Sequence, residues 1–253
     1  GYYYVDKTPY VAQLIDQGKY YFLSRPRRFG KSLLLDTIKE LFEGNKPLFS
    51  GLYIENKWNW EKKHPVIRIS FGSGTLRNRK ELDDRIKSLL QTNARNLDIV
   101  LNEKDDIAGQ LIKLIDDAKH KYKESVVLLI DEYDKPILDN ITNAEIAAEM
   151  REGLKNLYTV IKDADEFLKF CLLTGVSKFS KVSLFSGLNN LRDITLSTEY
   201  SAICGYTDED IDRVFAPELS GLNRDDIRRW YNGYNWSGQS VYNPFDVLLL
   251  LEE

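Results

Sequence analysis

Residues 20–34 restrict this chain to few folds. Tyr20-Tyr21-Phe22-Leu23 reads as a short buried strand. Ser24-Arg25-Pro26-Arg27-Arg28-Phe29-Gly30-Lys31-Ser32 follows as a tight basic turn, and Leu33, Leu34, Ile38, Leu41 and Phe42 then recur at helical spacing. A strand, a turn ending in Gly-Lys-Ser and a helix together make a phosphate-binding loop. The helix start offers unpaired N–H groups and the positive end of the helix dipole to an anion. In that arrangement Lys31 reaches the terminal phosphates and the Ser32 hydroxyl holds Mg2+. Phe29, Gly30 and Leu33 complete the expected binding set. One position departs from the usual pattern, which places glycine where this chain has Arg25.

The pattern downstream extends the same architecture. A second strand is expected at 65–71, closed by Gly72-Ser73-Gly74. Two amphipathic helices follow, the first carrying Leu82, Ile86, Leu89 and Leu90, the second Ile107, Leu111, Leu114, Ile115 and Ala118. Val126-Val127-Leu128-Leu129-Ile130 is unbroken apolar sequence, as in a strand buried on both faces. A helix with Ile146, Met150, Leu154, Leu157 and Ile161 leads to another such strand at 167–173. Strands alternating with helices predict an α/β fold, a parallel sheet covered by helices.

At the N-terminus, Thr8-Pro9 reads as a helix cap followed by the first helical residue, with Gly18 as the stop. After about residue 200 the texture changes. Short helices are expected at 208–215 and 223–230, the second placing Ile227, Trp230, Tyr231 and Tyr234 on one face. Asn243-Pro244 caps a last apolar helix. The expected division is an α/β core over 1–200 and a small helical subdomain over 201–253. The chain opens on Gly1 and stops within an apolar run, so more protein is expected on both sides.

Composition narrows the function classes. The 253 residues suffice for one large domain with a satellite. A net charge of −4 gives no support to a nucleic-acid-binding surface and leaves room only for a local basic patch. No apolar run approaches the roughly 20 residues that span a bilayer, and no signal-peptide pattern opens the chain. Cys171 and Cys204 have apolar or small neighbours, as expected of buried free thiols in a reducing cytoplasm. His64 and His120 are isolated and are expected to ligate nothing.

The second chemical feature is Leu128-Leu129-Ile130-Asp131-Glu132. A buried strand here delivers two carboxylates to its C-terminal edge, where open parallel sheets bind ligands. Asp131 is placed to bind Mg2+, directly or through water. Glu132 is placed to polarise a water for attack on a γ-phosphorus. Solvated acids at a strand end explain this pair when it is taken alone. Both loops together, in this order and each on a strand edge, point to a Mg-nucleotide site. Further on, Thr174 first and Ser177 second can sit between the acidic pair and the γ-phosphate, with a turn hydroxyl as an equal alternative. Arg27 and Arg28 either add charge beside the phosphates or form a surface pair. Arg228 and Arg229 read as a solvated helix face rather than a sensor pair. The aromatic residues read mainly as packing, with a tyrosine of the 2–4 run as an alternative stacking platform for a base.

Five stretches taken together resemble the bacterial AAA-ATPase-like family. They are Tyr3-Tyr4-Val5-Asp6-Lys7-Thr8, Arg25 to Ser32, Leu129-Ile130-Asp131-Glu132-Tyr133-Asp134, Thr174-Gly175-Val176-Ser177-Lys178-Phe179-Ser180 and Tyr231-Asn232-Gly233-Tyr234. These are P-loop ATPases often followed by a C-terminal nuclease-like domain of the PD-(D/E)XK type, which has no counterpart in this sequence. The resemblance implies that Arg25 is the family's habit, adding positive charge near the phosphates. It implies an additional-strand P-loop NTPase core, with the acidic strand beside, though not next in sequence to, the loop strand. It also implies ATP and Mg2+ as cofactors, phosphate binding by Gly30, Lys31 and Ser32, metal binding by Asp131, water activation by Glu132 and a sensor role for Thr174.

The leading expectation is an ATPase whose nucleotide state repositions the helical subdomain, a downstream domain or a protein partner. A nucleotide-gated interaction module with negligible turnover is the alternative, and a small-molecule kinase is a third reading. Glu132 favours turnover, because a pure binder needs no activating carboxylate.

Overall fold

The computed structural model describes residues 3–177, 184–185, 188 and 190–252. Helix α1 (Thr8–Gln17) leads into β1 (Tyr20–Ser24), and α2 (Lys31–Phe42) follows the basic turn. Strand β2 (Val66–Ser70), helices α3 (Arg79–Asn96) and α4 (Ile107–Tyr122), and strand β3 (Val126–Asp131) come next. The short α5 (Lys135–Leu138) and the long α6 (Ala144–Asp163) precede β4 (Leu168–Gly175) and a two-residue β5 (Arg192–Asp193). The strands form one five-stranded parallel sheet in the order β2-β3-β4-β1-β5.

Side-chain alternation explains why both faces are covered. Val126, Leu128 and Ile130 enter the core beneath α3, α4 and α6, whereas Val127 and Leu129 enter the core beneath α1 and α2. Tyr20 and Phe22 share the first core, Tyr21 and Leu23 the second. A strand with apolar residues at both parities is stable only between two helical layers. Each such aliphatic side chain contributes roughly 1.5–3 kcal/mol on leaving water. Cys171 and Cys204 are both buried and unpaired.

The strand order corrects one expectation. Strand β4 hydrogen-bonds to both β1 and β3, so the acidic strand is not beside the loop strand. Insertion of that extra strand is what separates the Gly-Lys-Ser turn from the acidic edge. It brings Thr174 of β4 between them, with Leu23 and Thr174 in register across the β1–β4 pair.

Gly175 closes β4 for a steric reason. The Tyr133 ring crosses it so closely that an added Cβ would clash with the ring and lie 2.8 Å from Oδ1 of Asp134. Gly175→Ala is expected to lower stability by about 1–3 kcal/mol. A lower urea midpoint with an unchanged slope is the corresponding measurement. An unchanged midpoint counts against this packing.

Three local expectations are corrected. Thr8 is helical rather than a cap; Asp6 Oδ1 accepts hydrogen bonds from its amide at 2.9 Å and its hydroxyl at 2.6 Å. Beyond residue 200, α7 (Asp208–Val214), α8 (Arg224–Tyr231) and α9 (Pro244–Glu252) are joined by an antiparallel hairpin, β6 (Tyr234–Asn235) with β7 (Ser240–Val241). Tyr234 therefore lies on that hairpin rather than on a helix face, and Trp230 is 75% exposed. Tyr200, Ala202, Ile203, Cys204 and Val241 pack in the α2-side core. Val5, Ile211, Phe215, Ile227, Tyr242 and Val247 form a separate small cluster. A part-buried ion pair, Lys7 with Asp210 at 2.9 Å, ties the N-terminal segment to the start of α7. Among the described residues no helix is long and apolar enough to cross a membrane.

Candidate functional site

The site lies at the C-terminal edge of the sheet, where α2 begins. Gly30, at φ +90°, occupies the position before α2, and no side chain caps that helix. The first N–H groups of an uncapped helix have no partner within it, which suits an anion. Arg28 is also in the left-handed region, at φ +60°. The turn is therefore tight without the expected first glycine, through left-handed residues placed later in the loop.

Lys31 is buried. Its Nζ donates to the carbonyl oxygens of Arg25 at 2.9 Å and Pro26 at 2.7 Å, so the ammonium lies folded across the loop. Burial pushes its pKa below the usual lysine value, while Cys204 and the carboxylates of Asp131, Glu132 and Asp134 pull it back up. Ser32 and Leu33 are exposed on the first turn of α2.

Parity places the acidic strand's chemistry on the same side. Asp131 follows Val127 and Leu129 at alternate positions and so faces the α2 layer, as do Thr174 after Leu172 and Arg68 after Val66. Asp131 is 2% exposed. Its Oδ1 accepts from the Thr174 hydroxyl at 2.8 Å, and its Oδ2 lies 3.6 Å from the Arg68 guanidinium. Arg68 also pairs with Asp36 of α2. Glu132 turns the chain at φ +52°, a conformation that costs a bulky residue energy. Its carboxylate leans on the end of β2: a Cβ built at Gly72 would fall 3.3 Å from Oε2.

Asp134 is fully buried, and its carboxylate accepts from the Val176 amide, the Ser177 amide at 2.7 Å and the Ser177 hydroxyl at 2.9 Å. Ser177 is thus held by Asp134, and Thr174 is the hydroxyl that meets Asp131. Lys178, Phe179 and Ser180 of the family stretch lie outside the described residues, as does Tyr2.

The basic turn distributes its side chains in a way the sequence did not suggest. Arg25 is 1% exposed and points away from the loop's anion-binding face. It donates to the carbonyls of Ser24 and Thr195 at 2.9 Å and of Tyr200 at 3.2 Å. The expected extra charge at the phosphates is therefore absent from Arg25, because backbone carbonyls of the 195–200 segment claim its donors. Burial lowers its pKa to about 10, and it stays a cation at neutral pH. The Phe29 side chain is buried, so its contribution to a ligand is confined to backbone. Arg27 and Arg28 are exposed, with the Arg28 guanidinium 4.0 Å above the Phe245 ring of α9. Arg228 and Arg229 are exposed on α8, Arg228 bonding Asp208 at 3.3 Å.

Beside the loop lies an open cleft. Tyr4, Lys7, Leu33, Thr37, Cys204 and Tyr206 bound it, and Tyr3 also lines it. The Thr37 hydroxyl donates to the Leu33 carbonyl at 2.9 Å and lies 3.0 Å from the Tyr4 hydroxyl.

The donor set suits a Mg-nucleotide. Among the described residues no group of three or more His, Cys, Asp or Glu side chains could hold a metal. Mg2+ needs none, because it keeps several waters and takes one or two protein oxygens alongside phosphates. Ser32 and Asp131 can supply that number. Sequence reasoning missed Arg68, Asp36 and Asp134. A charged residue inside the apolar run Val66-Ile67-Arg68-Ile69 was the readable trace of the first.

Comparison with known proteins bears on the family of this chain. An uncharacterized protein in the vnfD 5' region of Azotobacter chroococcum mcd 1 is 60% identical over 254 residues, covering 100% of this chain and 49% of the relative. The chain thus spans about half the length of that curated relative. A solved Drosophila ORC structure, bound to AT-rich DNA and Cdc6, is similar at a TM-score of 0.40 and 11% identity, covering 88% of this chain and 34% of that one. Residues 1–185 match the model of the family described as predicted AAA-ATPase. With both loops and the sheet edge inside that match, the chain belongs to the predicted AAA-ATPase family.

Proposed function

We propose that this nucleotide-binding P-loop module binds Mg-ATP and hydrolyses it, and that nucleotide state repositions residues 201–253 or whatever domain or protein partner they contact. The observation that carries the reading is the buried Lys31 ammonium on the loop carbonyls, on the same face as an Asp131 fixed by Thr174. An ammonium resting on two carbonyls keeps its third N–H for an arriving phosphate oxygen. Phosphoryl transfer is mostly positioning and charge stabilisation, and the residues divide those tasks. Gly30, Lys31 and Ser32 bind phosphate, and the Ser32 hydroxyl and Asp131 hold Mg2+. Thr174 orients Asp131, and Glu132 accepts a proton from water. Bound Mg2+ supplies charge that neutralises the phosphate oxygens. The base enters the cleft lined by Tyr3, Tyr4 and Tyr206, and adenine follows from the family.

Phosphate release from ATP with Mg2+ and no added acceptor tests this reading. Steady release that stops with a chelator is expected. ADP formation only after addition of an acceptor, with the phosphoryl group on the acceptor and no free phosphate, favours the kinase reading. Tight binding without release favours a nucleotide-gated interaction module.

A further inference from the structure

The Tyr231-Asn232-Gly233-Tyr234 stretch has no role in the chemistry above, yet the hairpin it enters packs on the phosphate loop. Phe29 is fully buried edge-on to Tyr234 and Trp236, each with ring centroids 5.0 Å away. Tyr234 and Trp236 stack on each other at 5.8 Å. Gly205 completes the socket: a Cβ there would fall 2.6 Å from the Phe29 ring. The Arg25 guanidinium lies 4.2 Å from the centre of the Trp236 ring. Its Nε is buried without a hydrogen-bond partner, so the ring face is what compensates that side of the cation.

Arg25 therefore has two attachments. Its side chain hangs on Trp236 and on the carbonyls of Thr195 and Tyr200. Its own carbonyl receives the Lys31 ammonium. The path runs from Trp236 to the Arg25 guanidinium, along one residue to its carbonyl, and on to Lys31 Nζ. We propose that Trp236 and Arg25 are positioning residues for Lys31, holding the loop in a binding-competent shape in place of the missing glycine. The inference rests on reading residues 25–32 as a nucleotide phosphate loop. It adds that nucleotide affinity is set partly by the 234–241 hairpin. Coupling is reciprocal, so nucleotide binding also changes the environment of Trp236.

Titration with Mg-ATP, alongside melting without ligand, tests this. Trp236→Leu keeps an apolar side chain and removes the ring face; Trp236→Phe keeps a face. Trp60→Leu is the control, since Trp60 packs on Phe49 with centroids 5.2 Å apart and its indole N–H donates to the Glu55 carbonyl. Trp236→Leu is expected to bind Mg-ATP about tenfold more weakly than the wild-type chain, with Trp236→Phe within about twofold of it. Trp60→Leu is expected to lower the melting temperature and leave affinity unchanged. Wild-type affinity in folded Trp236→Leu overturns the positioning role. Failure of the wild-type chain to bind Mg-ATP overturns the nucleotide reading itself, a distinct result. Should Trp236→Leu not fold, a chain with Trp58, Trp60 and Trp230 replaced by Phe leaves Trp236 as the sole tryptophan, excited selectively over tyrosine. Its fluorescence is expected to shift on adding Mg-ATP, and unchanged emission at saturation overturns the proposal.

Discussion

Lys31→Ala is expected to weaken Mg-ATP binding by roughly 10- to 100-fold, the range for losing a charge-assisted contact to phosphate. The reason lies in where the ammonium already sits. Lys31 is buried, and its present partners are the carbonyls of Arg25 and Pro26. The remaining N–H of the ammonium is free for a phosphate oxygen, whose full negative charge makes it a stronger partner than a carbonyl dipole. Alanine at this position leaves the first N–H groups of α2 in place, and residual weak binding through them is expected. It also removes a buried cation whose pKa is already lowered by desolvation. Fold stability therefore moves separately from affinity. Calorimetric titration gives the first and thermal melting the second. Equal affinity in the two chains would remove Lys31 from the phosphate site.

Glu132→Gln has the other large expected effect. Loss of a general base lowers turnover by about 100- to 10,000-fold, while Mg-ATP affinity stays near that of the wild-type chain. Glutamine retains the size and the left-handed turn of Glu132, so the change is confined to proton acceptance. Asp131 serves as the contrast. Its carboxylate is engaged by Thr174 and Arg68 and is assigned to the metal, so Asp131→Asn is expected to raise the Mg2+ concentration needed for half-maximal turnover as well as to lower turnover. Full turnover in Glu132→Gln assigns water activation to another group.

Much of this arrangement was legible in the residues. The turn before α2 announced itself because strand, basic turn and helix each leave a strong local pattern. The apolar runs of β3 and β4 read directly as strands buried on both faces, and Asp131 stood out as the first charge after such a run. What escaped detection depends on contacts distant in sequence. Arg25 looked like added positive charge, but its donors are taken by the carbonyls of Thr195 and Tyr200, some 170 residues away. The placement of β4 between β1 and β3 is a matter of pairing, which local periodicity does not encode. The 234–241 hairpin has two-residue strands, too short for alternation to show, and an aromatic-rich turn that imitates a helix face. Arg68 was readable in principle, as a charge on the α2-facing parity of an otherwise apolar strand. Its pairing with Asp36 and Asp131 was not, because those two carboxylates arrive from separate elements.

The most direct test of the central claim is a single-turnover experiment with γ-labelled ATP, Mg2+ and the wild-type chain in excess. Bound ATP is expected to convert to ADP and phosphate in the wild-type chain, to persist as bound ATP in Glu132→Gln, and to be poorly retained by Lys31→Ala. Absence of retained nucleotide on the wild-type chain, or equal conversion by Lys31→Ala, would contradict a Mg-ATP site built from the α2 turn and the β3 edge.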